Sequence, residues 1–194
     1  MGFRDLFKKQ TKAASPSDPV IPPPKPAPPV DPPSNAGVTK IERDHFLLYA
    51  PFQWIAVPGE NPLEFEFRNQ TLREQLIITV AFLTEPSDQA KSQWIAEELA
   101  KKRLSVLATI SNGHAVHLPL RFQSGSGQSE VRCFGRDEPQ KVRFAFVIRA
   151  TQVKVITVAL TRYFLEEVGS PFESYAGSIF DFLKVKEPAN PAGA

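Results

Sequence analysis

The chain has 194 residues, 42% of them hydrophobic, a formal charge of +2 and a single cysteine, which is material for one ordinary domain and leaves no internal disulfide and no cysteine-based metal cluster. The excess charge sits at the start: residues 1–37 hold five Lys or Arg against three Asp or Glu, leaving 18 of the 23 bases and 18 of the 21 acids to the rest. The body of the chain therefore has no general electrostatic grip on phosphates, and nucleic acid is not an expected partner.

The first element is the head MGFRDLFKKQTK. Phe3, Leu6 and Phe7, at spacings of three and one, are expected on the buried side of a short amphipathic helix, with Arg4, Lys8 and Lys9 at its rim. So short a helix is not stable alone, because about 12–15 residues are needed in water. A surface has to complete it, either a protein groove or an anionic membrane, the latter as a peripheral contact through residues 1–13. Leu6 stands where a myristoylation motif needs Ser or Thr, and no apolar run reaches the length of a secretory signal or a membrane span. The expected compartment is the cytoplasm.

Residues 14–37 read as a proline-rich linker, since residues 16–33 contain ten of the 19 prolines and lack the donors and large side chains that a sheet or core requires. It is expected to be a disordered, semi-rigid tether, and at roughly 3.1 Å per residue those 18 residues could hold the head about 50–60 Å away. Residues 38–187 are expected to form one domain, and 188–194 a polar tail.

Within the domain, HFLLYAP, FQWIAVP, LEFEF and QLIITVAFL read as strands. In LEFEF, Leu63, Phe65 and Phe67 share one face and Glu64 and Glu66 the other, a half-buried strand. QLIITVAFL is apolar on both faces, which predicts an interior strand covered above and below. SDQAKSQWIAEELAKKRL predicts an amphipathic helix, capped by Ser87 or Asp88, with Trp94, Ile95 and Leu99 facing the core and Lys101, Lys102 and Arg103 complementing the dipole at its end. AVHLPLRFQ and EVRCFG flank a SGSGQS hairpin, and KVRFAFVIRA and VKVITVALTRYF complete the sheet. In the last strand Val153, Val155, Thr157 and Ala159 oppose Ile156, Val158 and Leu160. Ser170-Pro171-Phe172-Glu173 predicts a capped helix start, followed by an apolar stripe of Phe172, Ala176, Ile179, Phe180 and Leu183. Interior strands with one helix mid-chain and one at the end predict an α/β domain of the α+β type, a mostly antiparallel sheet sandwiched between helices.

This order of elements resembles the PsbP/DcrB-like (Mog-type) fold. The pieces that carry the resemblance are Pro51-Phe52-Gln53-Trp54, LIITVAFL, the helix around Trp94, VKVITVAL and SPFESYAGSIFDFLKV, over about residues 45–186. The glycine hairpin, head and tether depart from the family pattern. The resemblance implies a binding role without catalysis, and its bacterial DcrB-like branch includes chaperones that shelter the transmembrane segments of type VI secretion effectors.

Catalytic motifs are not legible. His114 and His117, three apart on a predicted strand, fall on opposite faces and cannot share a metal. His45 has no nucleophile motif beside it, and Cys133 reads as a small core residue. Gly125-Ser126-Gly127 lacks the third glycine of a dinucleotide loop and the Lys of a P-loop. The expectation is therefore no enzyme, no cofactor and no metal. Phe122, Phe134, Phe144 and Phe146 fall on adjacent predicted strands; most belong to the core, and any exposed remainder would make a groove for an apolar helix or peptide. The functional expectation is a chaperone or adaptor that holds an apolar segment of a protein partner, such as a helix of a secreted effector, with an N-terminal docking head. The alternatives are a structural subunit of a larger assembly or a hydrolase using the histidines.

Overall fold

The computed structural model describes residues 37–125, 127–163 and 171–186. The expectations for the head (Phe3, Arg4, Leu6, Phe7, Lys8 and Lys9), for the linker up to residue 36, for Ser170 and for the 188–194 tail lie outside those residues.

In chain order the elements are β1 (Val38–Glu42), β2 (Phe46–Pro51), β3 (Ile55–Val57), β4 (Glu64–Asn69), β5 (Glu74–Phe82), α1 (Gln89–Ile110), β6 (Ala115–His117), β7 (Arg121–Gly125), β8 (Gln128–Asp137), β9 (Val142–Ala150), β10 (Lys154–Arg162), α2 (Phe172–Asp181) and β11 (Lys184–Val185). The fold is α+β. Its main sheet is eight-stranded and antiparallel, in the order β3-β4-β5-β10-β9-β8-β6, with β7 also paired to β8; a small sheet runs β1-β2-β11.

Alternation along the strands builds two cores. Leu76, Ile78 and Val80 of β5, Ala145 and Val147 of β9, and Ile156, Val158 and Leu160 of β10 face α2 and the small sheet. Phe144, Phe146, Ile148, Val155 and Ala159 face α1 with Val131 and Cys133. The two faces predicted for β10 are those observed, and Phe65 and Phe67 of β4 lie together against the first core while Arg68 between them and the strand end is exposed. Val153 falls in the turn before β10.

Several expectations need correction. Trp94 does not face the core; it is 61% exposed. The buried stripe of α1 is Ser92, Ala96 and Ala100, small side chains that let the helix lie close on the sheet, and Trp94 stands about 200° around the helix from Ala96. The helix also runs on to Ile110, so Lys101, Lys102 and Arg103 sit in its middle, away from its terminal dipole; Lys101 pairs with Glu98 at 2.8 Å and Arg103 lies over the Phe146 ring at 5.4 Å. Of its two predicted caps, Asp88 serves, accepting from the Lys91 N–H at 2.7 Å.

Secondly, β5 is interior, but its second face is only partly covered. Leu76 and Ile78 are fully buried, Ile77 and Thr79 are half-buried and Ala81 is exposed, because α1 rests mainly on β8 and β9. Thirdly, α2 begins one residue late, at Phe172, with Pro171 as a cap that makes no side-chain hydrogen bond. Its predicted apolar stripe, Phe172, Ala176, Ile179, Phe180 and then Leu183, is buried as the spacing required.

Candidate functional site

Strand β8 alternates Val131 and Cys133 toward α1 with Glu130, Arg132 and Phe134 toward α2. Helix α2, however, packs on β9 and β2, so the outer strip of that face, formed by β7 and β8, is left open. The result is a groove of about 490 Å³. Its floor carries Arg121, Phe122, Gln123, Glu130, Arg132 and Phe134, and its wall is the flank of α2, with Glu173, Ser174, Gly177, Ser178 and Asp181. A second pocket of about 330 Å³ shares Gln123, Glu130, Arg132 and Asp181 and extends to Arg149.

Most of the charges here answer one another. The Glu130 carboxylate, 8% exposed, accepts from Nε of both Arg132 and Arg149. Arg149 also donates to the carbonyls of Leu183 and, at 3.0 Å, Phe180, which closes the C-terminal end of α2. Arg132 reaches the Asp181 carboxylate at 2.7 Å. Floor and helix are thereby bolted together by two arginines and two carboxylates. Arg121 lies directly opposite Arg132 in the β7–β8 register, and its guanidinium is held 5.5 Å above the Phe134 ring.

The four predicted phenylalanines do not share one surface. Phe134 is buried toward α2, Phe144 and Phe146 are buried toward α1, and Phe122 is 50% exposed on β7 opposite Val131. Phe122 and Phe134 both line the groove, whereas Phe144 and Phe146 do not; the polar residues of β7 and the flank of α2, absent from the sequence reading, complete it. A signal was present: Glu130 and Arg132 alternate with Val131 and Cys133, and two charges on one face of a strand mark a face that is not wholly packed into an apolar core.

His114 precedes β6 and is not on a strand; His117 Nδ1 lies 2.8 Å from the Leu118 carbonyl, and His45 meets the Phe82 ring edge-on at 5.1 Å. Burial pushes the Cys133 thiol up to about 11, against thiolate formation. Among the described residues no group of three His, Cys, Asp or Glu side chains is placed to hold a metal. No helix among them is long and apolar enough to cross a membrane.

No family model matches the chain, and no curated protein matches it. A crystal structure from Bacteroides thetaiotaomicron VPI-5482 is similar over 73% of this chain, with 12% identity and a TM-score of 0.37. This chain spans 45% of that protein's length, and a likeness of that degree carries no argument about function.

A second polar cluster is enclosed beneath α2. Arg162, 2% exposed, contacts Glu74 Oε1 through Nε and Nη2, both at 2.7 Å, and Tyr175 Oη donates to Glu74 Oε2 at 2.8 Å. Burial raises the Glu74 carboxyl above its ordinary range, with Arg162 and Tyr175 opposing, and the Tyr175 phenol is raised by the same burial and the adjacent carboxylate. Sealed from solvent, this cluster joins β5, β10 and α2 and serves the fold.

Proposed function

We propose that this chain is a non-catalytic, cytoplasmic protein-binding module, a chaperone or adaptor of the PsbP/DcrB-like kind, whose partner lies in the groove between α2 and β7–β8. The observation that carries the reading is Gly177. It sits inside α2 on the groove wall, and a Cβ added there would meet nothing within 4 Å. Glycine inside a helix costs about 1 kcal/mol relative to alanine, and no contact among the described residues repays it. A partner's backbone approaching the helix flank would.

The ionic groups of the groove support recognition over chemistry, since Glu130, Arg132, Arg149 and Asp181 are engaged with one another. The groove's polar floor also shifts the expected partner from a wholly apolar helix to a segment with polar side chains on the face that meets the sheet.

The test is capture of a stoichiometric partner by the full chain from its host. Gly177→Trp, which fills the groove from a position with open space, should abolish capture without unfolding the domain. Gly177→Ala should preserve capture while raising stability by about 0.5–1 kcal/mol in urea unfolding. Capture that survives Gly177→Trp would refute the groove as the binding site.

A further inference from the structure

We propose that Arg121 is the specificity point of this groove and receives a carboxylate of the partner, an Asp or Glu side chain on a segment lying against Gly177. The proposal rests on the binding reading above and adds the partner's chemistry.

The argument begins with register. Arg121 and Arg132 are direct cross-strand neighbours and point to the same face, an arrangement in which like charges repel unless anions intervene. Arg132 has its anions, Glu130 and Asp181. Among the described residues no carboxylate pairs with Arg121; its charge is met only by the Phe134 ring.

That ring contact orients the group as well as attracting it. A guanidinium held over an aromatic face keeps its N–H fork in its own plane, free to make the paired hydrogen bonds that fit a carboxylate. The side chain lines a groove of about 490 Å³ and is itself exposed, so a partner carboxylate can reach it and the pair is screened by salt. Across the groove, Ser174 and Gly177 leave the helix flank low enough for a polypeptide backbone to come close. Glu173, on that same wall, disfavours a second acid beside the first, so the partner segment is expected to carry an isolated carboxylate and not an acidic run.

The experiment titrates the full-length ¹⁵N-labelled chain with three probes: N-acetyl-glutamate N-methylamide, N-acetyl-lysine N-methylamide and inorganic phosphate. The glutamate probe should give saturable shifts at the Arg121 Nε–H and at the Gly177 and Ser178 amides. These should weaken at least tenfold in Arg121→Gln, stay unchanged in Arg136→Gln, an exposed arginine paired with Glu138, and fade as salt rises. Failure of the glutamate probe to shift those groups, equal shifts in Arg121→Gln, or tighter binding of the lysine or phosphate probe would each overturn the proposal. The two readings separate in the capture assay. If Gly177→Trp blocks the partner and Arg121→Gln does not, the groove stands and the carboxylate assignment falls; if Gly177→Trp is without effect, both fall.

Discussion

Substituting Gly135 tests whether the main sheet is packed as described. Gly135 lies on β8 between Phe144 of β9 and His117 of β6 in the ladder. A Cβ built on it would come 2.6 Å from the Val116 carbonyl oxygen, and the Phe144 ring would be closer still. A comfortable carbon–oxygen contact is about 0.7 Å longer or more, near the ordinary 3.3–3.6 Å. The carbonyl belongs to β6 and cannot retreat without opening its pairing with β8, and Phe144, 6% exposed, is wedged beneath α1. In an unconstrained strand Gly→Ala would stabilise by about 0.5–1 kcal/mol. Here overpacking should outweigh that and leave Gly135→Ala about 1–3 kcal/mol less stable. Adding Phe144→Leu relieves the ring but not the backbone clash, so the double variant should not recover the loss. Urea unfolding followed by circular dichroism measures both, and hydrogen exchange should quicken at Leu118 N–H, which bonds the Phe134 carbonyl at 2.8 Å. A Gly135→Ala variant as stable as the parent would refute the close approach of β6 and Phe144.

Helix α1 offers a paired check: Trp94→Ser, on the solvent side, should change stability by no more than about 0.5 kcal/mol, whereas Ala96→Leu, at a fully buried position, should cost about 1–3 kcal/mol in the same assay. Arg162→Met strands the Glu74 carboxylate and should destabilise by about 3–5 kcal/mol at neutral pH. Because a protonated Glu74 needs no counter-charge, that loss should shrink as the pH falls through the carboxyl's raised pKa, which unfolding at pH 7 and pH 4 would show. At the surface, hydrogen bonds from Lys186 and Lys40 hold the Glu42 carboxyl down to about 2. A depressed acid contributes stability above its unfolded value of about 4.5 that is lost as the pH falls toward 2, so Glu42→Gln should be less sensitive than the parent to acid across that window, with the difference reduced by salt.

Much of this architecture is local in origin and was legible as such. The two-residue period of LEFEF and VKVITVAL assigned their side chains to faces, and the spacing of Phe172, Ala176, Ile179 and Phe180 identified the buried side of α2, because these patterns depend only on strand and helix geometry. The burial of α1 was not legible: Trp94 is the largest apolar side chain of its helix, yet Ser92, Ala96 and Ala100 face the sheet, since contact distance between layers favours small groups there. Pairings such as Arg162 with Glu74 join residues 88 positions apart and exist only once β10 has found β5. The groove is of the same kind. Strand alternation placed Glu130 and Arg132 on one face, but only the tertiary structure decided that α2 would stop short of β7, because a ten-residue helix anchored over β9 and β2 is too narrow to span the sheet, and that uncovered strip brings Arg121, Arg132 and Gly177 together.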